Sequence, residues 1–223
     1  MNLSQYIDHT LLKPEASLNQ IEKLCLEAKE NNFFSVCVNS YYVKACVDLL
    51  RGSNTKVCTV VGFPLGASTM ETKRFEAMKA IAEGAKEIDM VLNISAVKSN
   101  NWQYVLDDMS SLAQVCHQQG ALLKVILETC LLTTEEKKKA CELAVKAGVD
   151  FVKTSTGFST GGATVDDVKL MRSIVGPNIG VKASGGIRNT QTAKEMIEAG
   201  ATRLGTSASV EILNGLNAGS GNY

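Results

Sequence analysis

The sequence has 223 residues and 23 basic against 23 acidic residues, so the formal net charge at pH 7 is zero. This balance, without any basic run, argues against nucleic acid or an anionic membrane as the main partner, and no stretch is apolar over the length that a membrane span needs. Seven cysteines without regular spacing and only two histidines argue against a metal site and, together with an N-terminal segment unlike a signal peptide, indicate a reducing, cytoplasmic setting.

Short apolar runs alternate with longer amphipathic runs along the chain. The short runs predict eight strands, at residues 6–9, 34–38, 57–61, 87–92, 123–128, 150–154, 179–183 and 203–205. The longer runs predict helices over residues 17–31, 69–84, 102–119 and 135–147, a further helix from about Thr190 and a last short helix after residue 207. The core faces of the first two helices are expected to include Leu18, Leu26, Phe75 and Met78.

This alternation places the chain in the α/β class with parallel strands and right-handed crossovers. We expect a single (β/α)8 TIM barrel over residues 1–216, with a short N-terminal helix and a flexible C-terminal tail over residues 217–223. The alternative is an open doubly wound sheet, which normally carries a glycine-rich turn after its first strand. No such turn follows the first two predicted strands.

Charged side chains are predicted inside the barrel. Successive residues of a strand point to opposite faces, and the apolar alternates suit the surrounding helices. In EIDMVLN and LLKVILET this rule leaves Asp89, Lys124 and Glu128 pointing inward, and in VKTSTG and VKASGG it leaves Lys153 and Lys182. Cationic and anionic groups from four strands should therefore meet in one interior.

A structural ion network is the alternative to a catalytic site. Burying charges is costly, and buried pairs often fail to offset that cost, so function is the favoured interpretation for Lys153, Lys182 and Asp89. For Lys124 and Glu128 both interpretations stay open. The ammonium group of one lysine disfavours a positive charge on a neighbouring lysine and so favours its uncharged amine. An uncharged amine can form a Schiff base with a carbonyl group. A nearby carboxylate can donate and accept the protons of the reaction.

Segments rich in glycine and serine follow the last two predicted strands. The segment SGG at residues 184–186 precedes Arg188, and GTS occupies residues 205–207. In TIM barrels these loops often bind phosphate through backbone N–H groups and a helix N-terminus. An ordinary strand-to-helix turn remains the alternative for the second loop.

Four other polar or thiol residues can be explained wholly or partly by structural roles. Cys37 points inward by alternation and is expected to be a small core residue rather than a nucleophile. His117 is expected to be a solvated helix residue, and His9 a turn or capping residue. For Asp8 the structural and functional interpretations are balanced.

The motifs IDHTLL, EIDMVLN, LLKVILET, VKTSTGF and GVKASGGIR, with the terminal tyrosine, resemble those of the deoxyribose-phosphate aldolase family over essentially the whole chain. The resemblance implies reversible cleavage of 2-deoxy-D-ribose 5-phosphate into D-glyceraldehyde 3-phosphate and acetaldehyde, without metal or cofactor. It also implies a role in deoxyribose phosphate catabolism and a homodimer. Another Schiff-base lyase acting on a phosphosugar or keto acid, and a non-catalytic phosphosugar-binding barrel, remain as alternatives.

The resemblance also implies individual roles. Lys153 is similar to the family's Schiff-base lysine, Lys182 to the lysine that perturbs the pKa of that group, and Asp89 to the acid that donates and accepts protons. Lys124 is similar to the lysine that pairs with this acid, and Tyr223 to a terminal tyrosine that relays a proton. Substrate or phosphate contacts are implied for a larger set of residues: Asp8, Cys37, Thr154, Gly157, Ser184, Gly185, Gly186, Arg188, Gly205 and Ser207.

Two residues depart from the family pattern. Phe158 stands where some members carry a lysine, and Ala208 where many carry a second serine. The number of phosphate contacts is therefore open.

Overall fold

Eight parallel strands close into a barrel in chain order in the computed structural model, which describes residues 2–216. The strands are β1 (Ile7–Leu11), β2 (Ser35–Val38), β3 (Lys56–Val61), β4 (Glu87–Val91), β5 (Leu122–Ile126), β6 (Phe151–Lys153), β7 (Gly180–Ser184) and β8 (Arg203–Thr206). β1 pairs with both β2 and β8, so the sheet has no free edge. The predicted TIM barrel is confirmed, and the open sheet is excluded.

Helices surround the barrel. Residues 2–216 contain α1 (Leu18–Glu30), α2 (Val43–Leu49), α3 (Met70–Ala82), α4 (Ile94–Lys98), α5 (Trp102–Gln118), α6 (Thr134–Ala147), α7 (Val165–Val175), α8 (Thr190–Glu198) and α9 (Ser209–Leu213). Short 3-10 helices lie at Leu3–Tyr6, Ser40–Tyr42 and Thr129–Leu131, the first of which is the expected N-terminal helix. Among these helices none combines the length and the apolar composition that crossing a bilayer requires.

Helix α6 illustrates how the sequence sets a helix boundary. The side chain of Thr133 accepts a hydrogen bond from the backbone N–H of Glu136, whose carboxylate accepts one from the backbone N–H of Thr133. This capping box satisfies two N–H groups that the helix itself cannot satisfy. At the other end Gly148 adopts a left-handed conformation with φ 72°, which glycine tolerates and which ends the helix.

The main hydrophobic core lies between the strands and the helices. Val36, Val125, Val152 and Val181 face outward from their strands and are fully buried there. A second, small apolar cluster consists of Leu12, Cys37, Cys58 and Val60, with Phe63 packed against it. The remaining strand positions carry many buried polar and charged groups, and these positions form the site.

The sequence prediction of the helices is wrong in two respects: three helices were missed, and four side chains expected in the core are exposed. Helices α2, α4 and α7 were missed. The side chains of Leu18, Leu26, Phe75 and Met78 were expected in the core, but they are 50%, 54%, 72% and 46% exposed. Helix α3 buries Ala77, Ala80 and Ile81 instead, because small residues let this helix pack closely and leave its larger side chains outside.

Candidate active site

Four charged side chains converge on one point inside the barrel. Asp89 pairs in register with Lys124 across β4 and β5, and Lys153 pairs with Lys182 across β6 and β7. The Asp89 Oδ2 atom accepts hydrogen bonds from Lys153 Nζ at 2.9 Å and Lys182 Nζ at 2.8 Å, while Oδ1 accepts one from Lys124 Nζ at 2.8 Å. The side chains of all four are at most 3% exposed. The structure therefore brings together four of the five charged residues that the sequence directed inward; the fifth, Glu128, lies apart from Asp89.

The charges of this cluster stabilise one another. Burial opposes ionisation of Asp89, but the ammonium groups of Lys124, Lys153 and Lys182 outweigh it and hold the pKa of Asp89 well below its usual range. Burial also opposes protonation of Lys182, yet Asp8 and Asp89 raise the pKa of Lys182 well above its usual range. At neutral pH, Asp89 is a carboxylate and Lys182 an ammonium group.

The ion network extends deeper into the barrel through two residues that sequence analysis missed. Arg203 lies 2.8 Å from Asp8 and 3.0 Å from Glu87, and Glu87 lies 2.6 Å from Lys124. The Arg203 guanidinium also lies 3.5 Å from the centroid of the Phe34 ring. The missed signal was alternation itself: Glu87 stands two positions before Asp89 and must share its face.

Asp8 belongs to this deeper layer. Its carboxylate is fully buried and lies 2.5 Å from Lys182 Nζ and 2.8 Å from Arg203, and Ser35 donates a hydrogen bond to it at 2.7 Å. Burial would raise the pKa of Asp8, but Arg203, Lys182 and Lys124 lower it well below its usual range. Its direct partners are thus protein groups of the network.

Two cysteine thiols border the cluster. Cys37 and Cys58 are paired in register across β2 and β3, and both are fully buried. The Cys58 thiol lies 3.2 Å from Asp89 Oδ1 and 3.3 Å from Lys124 Nζ. Cys37 is fully buried in the small apolar cluster, as expected of a core residue. Cys37, Cys58 and Asp89 are close enough to share a cation, but a cation there would compete with ammonium groups already bonded to Asp89.

A cavity of about 190 Å³ lies at the C-terminal ends of β6, β7 and β8. Five of the residues implied to contact substrate or phosphate line it: Gly157, Gly185, Gly186, Arg188 and Ser207. Ile187 and the loop of residues 159–162 complete the lining, and this loop was missed by sequence analysis. The Gly161-Gly162 pair of this loop follows the TSTG motif closely. It resembles the glycine pair at residues 185–186 and could have identified the loop from the sequence.

Three other predicted residues lie beside this cavity without lining it. The Thr154 hydroxyl bridges the backbone carbonyl and N–H of Ser184, at 3.0 Å each, and thereby ties β6 to β7. The Ser184 hydroxyl is buried and has no hydrogen-bond partner among the described protein atoms. Gly205 packs against Ser184 and Lys182 so closely that a Cβ atom there would collide with the Ser184 hydroxyl.

Glu128 differs from its predicted placement. Strand β5 ends at Ile126, and Glu128 adopts a left-handed conformation with φ 54° and ψ 62°. Its buried carboxylate accepts hydrogen bonds from the backbone N–H and the hydroxyl of Thr156. It therefore does not bond to Asp89 but holds the segment that follows Lys153.

The two histidines make contacts that the sequence did not reveal. His9 is buried and lies 2.8 Å from both Ser209 and Glu27, linking β1 to α9 and α1. His117 was expected to be a solvated helix residue, and its side chain is 45% exposed, but it lies 2.9 Å from Asp150. Tyr223 and the tail of residues 217–223 lie outside the described residues.

Comparison with known proteins gives concordant matches. The family model for DeoC, described as DeoC/LacD family aldolase, matches residues 3–220. Deoxyribose-phosphate aldolase of Brevibacillus brevis is 61% identical over 215 residues, covering 96% of both chains. Deoxyribose-phosphate aldolase of Lysinibacillus sphaericus is 60% identical over 222 residues, covering 100% of this chain and 99% of the relative.

Solved structures agree in fold. An aldolase named QR15 superposes with a TM-score of 0.90 at 43% identity, covering 95% of this chain and 94% of that chain. A tetrameric deoxyribose phosphate aldolase of Aeropyrum pernix superposes with a TM-score of 0.89 at 35% identity, covering 95% and 89%.

Proposed function

The chain belongs to the DeoC/LacD family of aldolases, and from that premise we propose how its barrel performs the reaction. The reaction is the reversible aldol cleavage of 2-deoxy-D-ribose 5-phosphate to D-glyceraldehyde 3-phosphate and acetaldehyde, the activity for which its relatives of about 60% identity are named. The observation that carries the mechanism is the convergence of Lys153 and Lys182 on one Asp89 oxygen.

Lys153 is the residue that forms the Schiff base. Its uncharged amine attacks C1 of the open-chain sugar, and loss of water gives an iminium. The iminium withdraws electrons while the C3 hydroxyl loses its proton, the C2–C3 bond breaks, and D-glyceraldehyde 3-phosphate leaves. The resulting enamine takes a proton at C2, and water then releases acetaldehyde and the free amine.

Lys182, Asp89 and Lys124 assist the reaction without forming a covalent bond to the substrate. Lys182 stays charged between Asp8 and Asp89, so its ammonium group disfavours a second positive charge on Lys153. Asp89 is held as a carboxylate and accepts a proton during formation of the Schiff base or cleavage. Lys124 binds the other Asp89 oxygen and keeps the carboxylate in place.

The glycine-rich cavity binds the substrate phosphate. It is lined by Gly157, Gly185, Gly186, Arg188 and Ser207, which offer backbone N–H groups and a guanidinium, the groups that proteins commonly use for phosphate. It also lies at the loops after β7 and β8, where barrels usually bind phosphate. Thr154, Ser184 and Gly205 support the cavity from behind, and Asp8 and Cys37 support the lysines.

Reduction of the trapped adduct tests this proposal. The protein is incubated with acetaldehyde and borohydride, and the modified peptide is identified by mass spectrometry. We expect a label on Lys153 and its loss in Lys153→Ala. A label on Lys182 or Lys124 would contradict the assignment of roles, and absence of any label would contradict Schiff-base chemistry.

Tyr223 is proposed, on the family resemblance alone, as the group that relays the proton to the enamine carbon. A phenol can do this when it reaches the site. Tyr223→Phe should leave trapping on Lys153 intact but slow the exchange of acetaldehyde methyl protons with deuterated water by roughly tenfold or more. Exchange as fast as in the parent would assign the proton step to Asp89 and water instead.

We also propose that the protein works as a cytoplasmic homodimer. All seven cysteines are free thiols, which fits a reducing compartment. The homodimer is proposed on the family resemblance, and Tyr41, Leu65 and Phe75, which expose 85%, 74% and 72% of their surface, are candidate interface residues. Light scattering on the purified protein and fractionation of cells that express it test the two parts. A monomer in solution, or activity outside the cytoplasm, would overturn the corresponding part.

A further inference from the structure

Glu128 occupies a conformation that its residue type rarely adopts. Its φ of 54° and ψ of 62° lie in the left-handed region, which is unfavourable for residues other than glycine, asparagine and aspartate. Such conformations persist only where the surroundings enforce them, and they cluster at functional sites. Glu128 lies two residues after the end of β5 and is 3% exposed.

The main hydrogen-bond partner of the Glu128 carboxylate is Thr156. The carboxylate accepts a hydrogen bond from the Thr156 hydroxyl, and its oxygens lie 3.3 and 3.4 Å from the Thr156 backbone nitrogen. Burial raises the pKa of Glu128, while the bonds from Thr156 and the charge of Lys153 oppose the rise. Thr156 lies three residues after Lys153, in the chain segment that leaves the barrel interior.

These bonds fix the turn that begins the phosphate cavity. The Thr156 hydroxyl accepts a hydrogen bond from the Phe158 backbone N–H at 3.0 Å. Gly157, between them, has a φ of 85° and lines the cavity. The Phe158 ring meets the Phe63 ring edge to face, with centroids 5.3 Å apart. The turn is thus held from below by Glu128 and from outside by Phe63.

A second contact ties Glu128 to the next part of the same loop. The Cys130 thiol lies 3.9 Å from Glu128 Oε1 and 3.4 Å from Ser159 Oγ. A Cβ atom on Gly161 would collide with the Cys130 side chain. Ser159 and Gly161 both line the cavity, so contacts to Glu128 reach the loop at two points.

We propose that Glu128 is a positioning residue that sets the preference for a phosphorylated sugar by fixing the loop of residues 156–161 through Thr156. It is not a catalytic residue, because its carboxylate is turned to Thr156 and not to Asp89. This inference rests on the proposed phosphate cavity and on Lys153 as the Schiff-base residue. Its specific content is that Glu128 affects the phosphate end of the substrate and leaves the carbonyl end unchanged.

Two substrates separate these ends: 2-deoxyribose 5-phosphate and 2-deoxyribose without phosphate. Glycine adopts the left-handed backbone without steric cost, so Glu128→Gly should fold. The variant lacks the carboxylate that accepts the hydrogen bond from Thr156. Its KM for the phosphorylated sugar should rise about tenfold, as expected for loss of a charge-assisted hydrogen bond. Its kcat/KM for 2-deoxyribose should change less than about twofold. Glu128→Gln, which keeps one acceptor oxygen, should lose less of the preference than Glu128→Gly.

The controls isolate the route of the effect. Glu142→Gln makes the same chemical change on α6, at a side chain that is 58% exposed, and should leave the preference unchanged. Thr156→Val should reproduce the effect of Glu128→Gly, and the double variant should show no further loss, because both remove one interaction. Additive effects would overturn the proposed route through Thr156.

The outcomes also distinguish this inference from the proposed function. If both substrates lose the same factor in Glu128→Gly, or neither does, the inference is wrong while the proposed function stands. If the parent protein shows no preference for the phosphorylated sugar, the phosphate cavity is wrong and the inference falls with it. Trapping of acetaldehyde on Lys153 should persist in every Glu128 variant, and its loss there would show that Glu128 acts on the carbonyl end instead.

Discussion

Asp89 is the residue on which the others depend, because one carboxylate accepts hydrogen bonds from three ammonium groups. Two of the three have their own anionic partners: Lys124 is bonded to Glu87, and Lys182 to Asp8. Asp89 is the ion-pair partner shown for Lys153. Of the three lysines, Lys153 therefore has the fewest anionic partners, which suits it to the role of nucleophile.

Replacing Lys182 by methionine tests this division of roles. The change keeps the side chain long but removes the charge that disfavours protonation of Lys153. We expect the ascending limb of the pH–rate profile to move to higher pH, because the positive charge of Lys182 no longer opposes a second positive charge at the site. Activity at pH 7 should fall about tenfold for every pH unit by which that limb moves, with partial recovery in alkali. A profile that only scales down would contradict the electrostatic role and favour direct proton transfer by Lys182.

Strand alternation was enough to predict the inward direction of Asp89, Lys124, Lys153 and Lys182. It was not enough for Glu128, because alternation applies only while the strand lasts, and β5 ends two residues earlier. The partners of each charge were also out of reach. Arg203 lies 195 positions from Asp8 in the chain, and only closure of β8 onto β1 brings them together.

At the scale of elements, helices α3 and α5 are joined by a buried ion pair that takes no part in the reaction. Lys73 Nζ lies 2.6 Å from Asp108 Oδ2 and donates a hydrogen bond to the Val91 carbonyl at 2.9 Å. Neither side chain is exposed. Burial lowers the pKa of Lys73 and raises that of Asp108, with each partner opposing the shift. The pair thus links two helices to the end of β4.

Breaking this pair should be costly. Lys73→Met leaves the Asp108 carboxylate buried without its cation, and we expect a loss of about 3–5 kcal/mol in the free energy of unfolding measured with urea. The double variant Lys73→Met with Asp108→Leu should recover most of the loss. Lys79→Met is the matched control, since Lys79 is 65% exposed in its pair with Glu83, and should cost less than about 1 kcal/mol. Equal losses for the two lysines would contradict the role assigned to Lys73.

The elements themselves were predictable where their pattern was long enough. All eight strands were predicted from short apolar runs, which arise because a parallel barrel buries both faces of its strands. The longest helices were predicted from their apolar periodicity. Helices α2 and α4 have seven and five residues, which is too short for a helical period to stand out. Helix α7 buries Val168, Met171 and Val175, a helical spacing that the sequence did carry and that was overlooked.

For the whole molecule the formal net charge is zero, but the buried charges inside the barrel are not balanced. The ion-paired cluster inside the barrel joins four basic residues to three acidic ones: Lys124, Lys153, Lys182 and Arg203 with Asp8, Glu87 and Asp89. With every group ionised, the cluster carries one excess positive charge in surroundings that stabilise it poorly. An uncharged lysine among these four basic groups would leave the cluster electrically balanced, which is the state that the proposed Schiff-base chemistry requires.

The same cluster predicts how stability depends on pH. Asp8 and Asp89 have pKa values below their usual range in the folded protein, so their contribution is present above about pH 4, the usual value in an unfolded chain, and is lost as the pH falls further. Lys124 and Lys182 have raised pKa values, so their contribution is present below about pH 10.4 and is lost as the pH rises beyond it. Thermal unfolding should therefore show a plateau between these limits and a decline on both sides.

Asp8→Asn should be less stable at neutral pH, because Lys182 and Arg203 lose a partner, yet its acid decline should be shallower than that of the parent. An acid limb of unchanged steepness in Asp8→Asn would show that other carboxylates govern the acid side.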